Sequence, residues 1–226
     1  MSVRRLSKQQ PDSFKLSESA LKQIKAWTKK YPKDRARSAL IPALWIAQKD
    51  AGGWIPEAVL RQLGERLGMA PIRVYEVATF YTMFNLEPVG MHHVQLCGTT
   101  PCWLRGADDL KKVCERKIGP KGSVSENGKL SWIEVECLGA CANAPMVQIS
   151  NSDSDHYYED LTAKTLETLL DDLSAGKTVK AGPQNTRHTS EPEGGATTLN
   201  AKELYNKVEK KKLPNSKAKT KRKVKS

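Results

Sequence analysis

His92-His-Val-Gln-Leu-Cys97-Gly-Thr-Thr-Pro-Cys102-Trp103 reads as a strand, a tight loop of small residues and then the start of a helical stretch that continues to Lys117. The same pattern recurs downstream. Ser131–Glu136 is a strand with Trp132, Glu134 and Glu136 on one side and Ile133 and Val135 on the other, the two-residue period of a pleated chain. It runs into Cys137-Leu-Gly-Ala-Cys141. Each cysteine pair therefore follows a strand and sits on a loop leaving the same end of one sheet layer. That placement predicts four thiols meeting from two loops.

Outward from these loops, Gly119–Lys129 is a Gly/Ser/Lys-rich connection. Met146–Ser150 and His156–Glu159 predict a short hairpin across the turn-forming Asn151-Ser-Asp-Ser-Asp155. Thr162 suits a helix cap, with Leu166, Leu169, Leu170 and Leu173 turned inward and Gly176 as the stop. The order β-α-β-β-β-α belongs to a small sheet with helices packed on it. Upstream, residues 15–88 read as four short helices. Ser17 caps the first, which carries Leu21, Ile24 and Trp27. The second holds Leu40, Ile41, Leu44, Trp45 and Ala47, with Pro42 at its start or at a bend, and breaks at Gly52-Gly53. Pro56 opens the third, with Val59, Leu60, Leu63 and Leu67 inward and Gly68 as its stop. Pro71 opens the fourth, with Ile72, Tyr75, Ala78 and Tyr81 or Thr82 at helical spacing. The fold class is thus α+β: an arm over 1–14, a helical bundle over 15–88, a domain with a small mixed sheet over 89–182, and a Lys-rich tail over 183–226. Within that tail Ala201–Lys212 has the narrow stripe Leu204 and Val208 of a single helix.

The chain has 226 residues, enough for one or two domains, and 38% are apolar. No run approaches the ~20 apolar residues needed to span a bilayer, and Met1-Ser-Val-Arg-Arg lacks the apolar segment of a secretory signal. The net charge of +12 sits at the ends: +9 in residues 201–226, +3 in residues 1–10, and zero between them. A nucleic-acid-reading body would carry its own basic face, so no nucleic-acid partner is expected.

Five cysteines without a secretory signal argue for a reducing compartment rather than a disulfide framework. Cys97, Cys102, Cys137 and Cys141 are candidate ligands of a metal centre. Four thiolates suit a structural zinc or an iron–sulfur cluster. The x4 and x3 spacings, with Gly98, Thr99, Thr100, Gly139 and Ala140 around them, favour a [2Fe–2S] core, whose sulfides need close backbone approach. A helix opening at Cys102–Trp103 would add N-terminal amides. Zinc remains the second reading and redox-active thiols the third, though neither pair is a C-x-x-C. Cys114, beside Val113 and a turn after Leu110, reads as a buried structural thiol. His92, His93, His156 and His188 read as solvated or hydrogen-bonded, and Glu134 and Glu136 as a polar sheet face. Trp103 suits either shielding of the centre or core packing. Phe80, Tyr81, Met83 and Phe84 suit either bundle core or a docking surface.

Cys97-x4-Cys102, Val135-Glu-Cys137-Leu-Gly-Ala-Cys141-Ala-Asn-Ala-Pro-Met146 and Tyr157-Tyr-Glu-Asp-Leu-Thr162 together resemble the [2Fe–2S] subunit family of NADH:quinone oxidoreductase, respiratory complex I. Gly52-Gly-Trp-Ile-Pro56 and Val77-Ala-Thr-Phe-Tyr-Thr-Met-Phe84 are similar to its helical N-terminal part. The resemblance implies a thioredoxin-like ferredoxin fold and one [2Fe–2S] cluster on Cys97, Cys102, Cys137 and Cys141. It implies a subunit of an oxidoreductase with no complete active site of its own, beside a flavoprotein subunit that binds FMN and NADH and exchanges single electrons with the cluster. Consistent with that division, no G-x-G-x-x-G follows a predicted strand. The same resemblance admits the equivalent subunit of an NAD-linked hydrogenase or formate dehydrogenase. It implies further peripheral-arm subunits as partners, membrane association only through the complex, and a place on the cytoplasmic side of a bacterial inner membrane or on the mitochondrial matrix side.

Overall fold

In the computed structural model, which describes residues 4–200 other than 193 and 196, the Ser17 hydroxyl accepts from the Ala20 N–H at 3.1 Å and donates to Asp50 at 2.6 Å. That cap starts α1 (Glu18–Thr28) and ties it to the end of α2 (Leu40–Asp50). The chain divides into two units, Met1–Ser190 and Glu191–Ser226, and the first holds every helix and strand of the described residues. The helix expected at 201–212 and the basic run at 217–225 lie outside the described residues.

Ala20 and Ile24 are the residues α1 buries. Trp27, expected inward, is 37% exposed, and the Lys30 ammonium lies 3.4 Å from its ring centroid. A large amphipathic ring at a helix end is better placed half-wet under a cation than in a narrow core. A 3₁₀ segment, Lys33–Ala39, leads into α2, where Pro42 falls in the first turn and needs no amide partner. Pro56 caps α3 (Glu57–Leu67) rather than opening it, and Gly68 ends it at φ 62°. In α4 (Pro71–Phe80) the buried residues are Val74 and Ala78, while Ile72 is 66% exposed. The inward stripe is rotated from the one that periodicity suggests, because Leu60, Leu63 and Leu67 of α3 meet α4 along that side. The Arg4 guanidinium donates to the carbonyls of Ala78, Thr79, Tyr81 and Phe84, satisfying the last turn of α4 and the chain beyond it.

β1 (His92–Cys97) is the hub of a five-stranded mixed sheet in the order β2-β1-β3-β4-β5. β2 (Leu130–Val135) pairs parallel to it, with Cys97 opposite Val135, and β3 (Val147–Ser150) pairs antiparallel on its other side. β3 and β4 (Asp155–Glu159) form the expected hairpin, and β5 (Gly182–Pro183) joins β4 in parallel. The single helix expected from Trp103 to Lys117 is two, α5 (Thr100–Leu104) and α6 (Ala107–Lys117), because Gly106 adopts φ 98°, a left-handed conformation that ends the first. α7 (Ala163–Ser174) carries a capping box at Thr162 and Thr165.

Two apolar cores result. One joins Ile24, Leu44, Leu63 and Phe84 among the first four helices. The other joins Val94, Leu96 and Trp132 of the sheet to Leu110 and Val113 of α6 and Leu166 and Leu170 of α7. Lys49 and Asp155 pair at 2.7 Å between a bundle helix and the hairpin. The chain does not leave the sheet at residue 183: the Gln184 N–H donates to Glu159 at 2.9 Å, and the segment stays against the second cysteine loop to Thr189.

Candidate metal centre

The parallel pairing of β1 and β2 decides the site. Because Cys97 stands opposite Val135, the loops after the two strands leave one end of the sheet side by side. Cys97 and Cys102 are buried, at 2% and 1% exposure, while Cys137 and Cys141 are exposed. The Cys137 and Cys141 sulfurs lie 3.4 Å apart. Cys97 and Cys102 bear on each other's ionisation, and the charge on Cys97 is felt at both Cys137 and Cys141. All four thiols that the spacing pointed to therefore form one electrostatic group. Cys114 is fully buried in the core face of α6.

Acidity alternates within the group. Burial works to raise the Cys97 thiol, but hydrogen bonds from Thr99, Cys102 and the Leu138 backbone outweigh it and hold its pKa low. Cys102 is pushed up to about 12 by burial and then by its bond to Cys97. The Gly139 N–H, 3.4 Å from the Cys137 sulfur, lowers Cys137, and Cys137 in turn raises Cys141. Burial, and then the Glu115 charge, push Cys114 up to about 12, which makes it a poor thiolate.

The donor set fits a sulfur-ligated iron centre. Metal–sulfur bonds of about 2.3 Å in a tetrahedron space two sulfurs roughly 3.7 Å apart, close to the 3.4 Å of the Cys137–Cys141 pair. Among the described residues no three His, Cys, Asp or Glu side chains close around a single ion. Two loops supplying two thiols each offer the four cysteine ligands that a two-iron, two-sulfide core takes.

The backbone around the sulfurs is built by neighbours. A Cβ on Gly98 would collide with a Glu134 carboxylate oxygen, so the glycine after Cys97 leaves the space that side chain fills. Lys111 at 2.7 Å and Lys121 at 3.5 Å hold Glu134 ionised, with its pKa lowered chiefly by Lys111. Gly139 sits at φ 84°, where only glycine is relaxed, and this conformation aims its N–H at Cys137. The Tyr157 hydroxyl donates to the Leu138 carbonyl at 2.8 Å, and Arg187 donates to the Ala142 carbonyl at 2.7 Å.

Two expectations about this site need correction. The helix begins at Thr100 rather than at Cys102–Trp103, and the Trp103 N–H donates to the Thr99 carbonyl at 2.9 Å. That amide is already used within the turn, and the N–H seen on a thiol sulfur is that of Gly139 in the second loop. Trp103 neither shields the thiols by burial nor packs in the core: it is 55% exposed, with its indole N–H on Asp108 at 2.9 Å. Phe84 is core, whereas Phe80 is 74% exposed and Tyr81 and Met83 are partly so. His93 is buried with Nδ1 2.8 Å from the Ser131 hydroxyl, the hydrogen-bonded state expected of it. Sequence reading passed over Arg187 and gave no role to Tyr157, Asn143 or Asp160; the last three lie inside the quoted motifs, while Arg187 lies in a stretch whose composition signals only a tail.

Known proteins share this sequence and this fold. The family model described as thioredoxin-like [2Fe-2S] ferredoxin matches residues 24–174. The E 1 subunit of the NADH-quinone oxidoreductase of Rhizobium meliloti (strain 1021) is 50% identical over 225 residues, covering 97% of this chain and 79% of its own. The E subunit of the NADH-quinone oxidoreductase of Rickettsia bellii (strain RML369-C) is 53% identical over 146 residues, 64% of this chain and 85% of its own. Among solved structures, an NAD+-reducing [NiFe]-hydrogenase in the air-oxidized state superposes with a TM-score of 0.52 at 18% identity, over 61% of this chain and 23% of that one. That likeness reaches the fold alone.

Proposed function

Because the chain belongs to the thioredoxin-like [2Fe–2S] ferredoxin family, we propose that it is the corresponding subunit of an NADH-quinone oxidoreductase. In this reading it holds one [2Fe–2S] cluster on Cys97, Cys102, Cys137 and Cys141 and exchanges single electrons with the FMN of an adjacent NADH-binding subunit. The observation that carries it is the convergence of both cysteine pairs at one end of the β1–β2 layer, in a chain whose likeness to the Rhizobium meliloti protein extends over 97% of its length. When bound, the cluster supplies one-electron storage.

The residues here bind, orient and shield. Cys97 and Cys102 anchor the centre from the buried side. The Gly139 N–H offers a hydrogen bond to a ligand sulfur, which stabilises negative charge there. The exposed Cys137–Cys141 limb marks the open side, and a cleft of about 510 Å³ runs from Cys137 and Leu138 to Trp45, Met83 and Met91. That open side is where the flavoprotein subunit would approach. No helix among the described residues is long and apolar enough to cross a membrane, and attachment to the cytoplasmic face of a bacterial inner membrane through the other peripheral-arm subunits completes the reading.

The test is anaerobic addition of NADH to the purified complex, read by low-temperature EPR. A [2Fe–2S] signal that appears with NADH and is missing from a complex carrying Cys141→Ser is the expected result. A signal that persists in that variant would assign the cluster elsewhere. The subunits that copurify distinguish a quinone reductase from a hydrogenase or formate dehydrogenase.

A further inference from the structure

The segment after Gly182 belongs by composition to a tail, yet it crosses the second cysteine loop and is tied to it. The Arg187 side chain is only 8% exposed. It donates to the carbonyl of Ala142, the residue after Cys141, at 2.7 Å across a separation of 45 residues. It also pairs at 3.4 Å with Asp160, whose side chain is 5% exposed. Asn143, fully buried, donates to Asp160 at 2.9 Å and to the Thr189 carbonyl at 2.8 Å, while the Asp160 N–H donates to the Asn143 carbonyl at 2.8 Å. Asp160 and Thr189 both adopt left-handed backbone conformations, at φ 52° and 51°. These are uncommon outside glycine and persist only where surrounding contacts enforce them.

On the other flank of the loop the Tyr157 hydroxyl holds the Leu138 carbonyl. The exposed limb of the site is thus fixed between its two thiols at Leu138 and just beyond them at Ala142–Asn143.

We propose that Arg187 is a positioning residue for this limb. By clamping the Cys141–Asn143 turn to Asp160, the C-terminal segment Gly182–Thr189 acts as a strap that keeps the cluster in place, with the Arg187 guanidinium balancing the buried Asp160 carboxylate. The proposal rests on Cys141 being a ligand. Charge-balanced partners that orient metal ligands contribute about 10- to 100-fold in metal affinity when removed. Removing Arg187 leaves the Asp160 carboxylate uncompensated near the turn, which disfavours the negative charge that a cluster gains on reduction.

The experiment uses the full chain with its cluster reconstituted from iron and sulfide under anaerobic conditions. Wild type, Arg187→Ala, Arg187→Lys and Cys141→Ser are compared. Three quantities are read: the rate of iron loss to a chelator, the midpoint potential from an EPR titration, and the melting temperature of the cluster-free chain. Arg187→Ala is expected to lose iron about 10- to 100-fold faster and to show a lower midpoint potential. Arg187→Lys, which keeps the charge but not the planar fork, is expected to restore the potential while losing iron at an intermediate rate. A lower melting temperature with an unchanged potential and iron-loss rate would overturn the strap, leaving Arg187 a merely structural residue. Arg187→Ala matching wild type in all three readouts, with Cys141→Ser devoid of the native signal, would also overturn it and leave the ligand assignment standing. An unaltered cluster in Cys141→Ser would overturn both.

Discussion

His93 has the hydrogen-bonded state expected of it, while its burial has a consequence that no local pattern signals. Burial drives its pKa down to about 4, against about 6.5 in an unfolded chain. A base with a lowered pKa is neutral in the folded state, so the unfolded chain takes up the proton first as pH falls. Stability is therefore full above pH 6.5 and is lost between 6.5 and 4, by about 2 kcal/mol from pH 7 to pH 5. Urea midpoints of the cluster-free chain at those two pH values are expected to show that drop, and His93→Asn is expected to flatten it. Gly98 is a second case. Spacing suggests that small residues there let the backbone reach sulfur, and that holds at Gly139. At Gly98 the reason is the Glu134 carboxylate, which occupies the space where a Cβ would stand. Glu134 comes from another strand, so no local pattern could reveal it. Gly98→Ala is expected to displace Glu134 from Lys111 and to cost roughly 1–3 kcal/mol, read by the same midpoints.

At the scale of elements, legibility follows how local the deciding interaction is. α7 was readable because its cap, its four leucines and its terminating glycine lie within one stretch of chain. Thr162→Ala is expected to cost about 1 kcal/mol, and Leu170→Ala, whose side chain is fully buried, about 2–5 kcal/mol. Circular dichroism melts of both variants would check the ordering. Strands β1 and β2 were readable by alternation, and their common end followed from the position of the cysteines. Their parallel register was not readable, since it depends on the α5–α6 crossover that returns the chain. Where a helix meets its neighbours off the centre of its apolar stripe, the stripe misleads. Ile72 is exposed for that reason.

The molecule as a whole has two apolar cores, and the composition shift that distinguishes helical from alternating sequence tracks them. We propose that residues 15–88 and 89–182 are distinct modules joined by polar ties such as Lys49–Asp155, both partners of which are about a quarter exposed. Lys49→Ala is expected to cost about 1 kcal/mol or less, with both cores still melting together by calorimetry. The strap from Gly182 to Thr189 escaped composition because its stability comes from Asn143, Asp160 and Arg187, which are distant in sequence and polar. The proposed function turns on four thiols from two loops holding one two-iron centre. Its most direct measurement is iron and acid-labile sulfide per chain, with EPR after dithionite, on the anaerobically purified protein and its five single Cys→Ser variants. Two irons and two sulfides with a signal near g 2, lost in the variants at 97, 102, 137 and 141 but kept at 114, is the predicted result. A colourless chain binding one zinc through the same thiols, unchanged after iron–sulfur reconstitution, would contradict it.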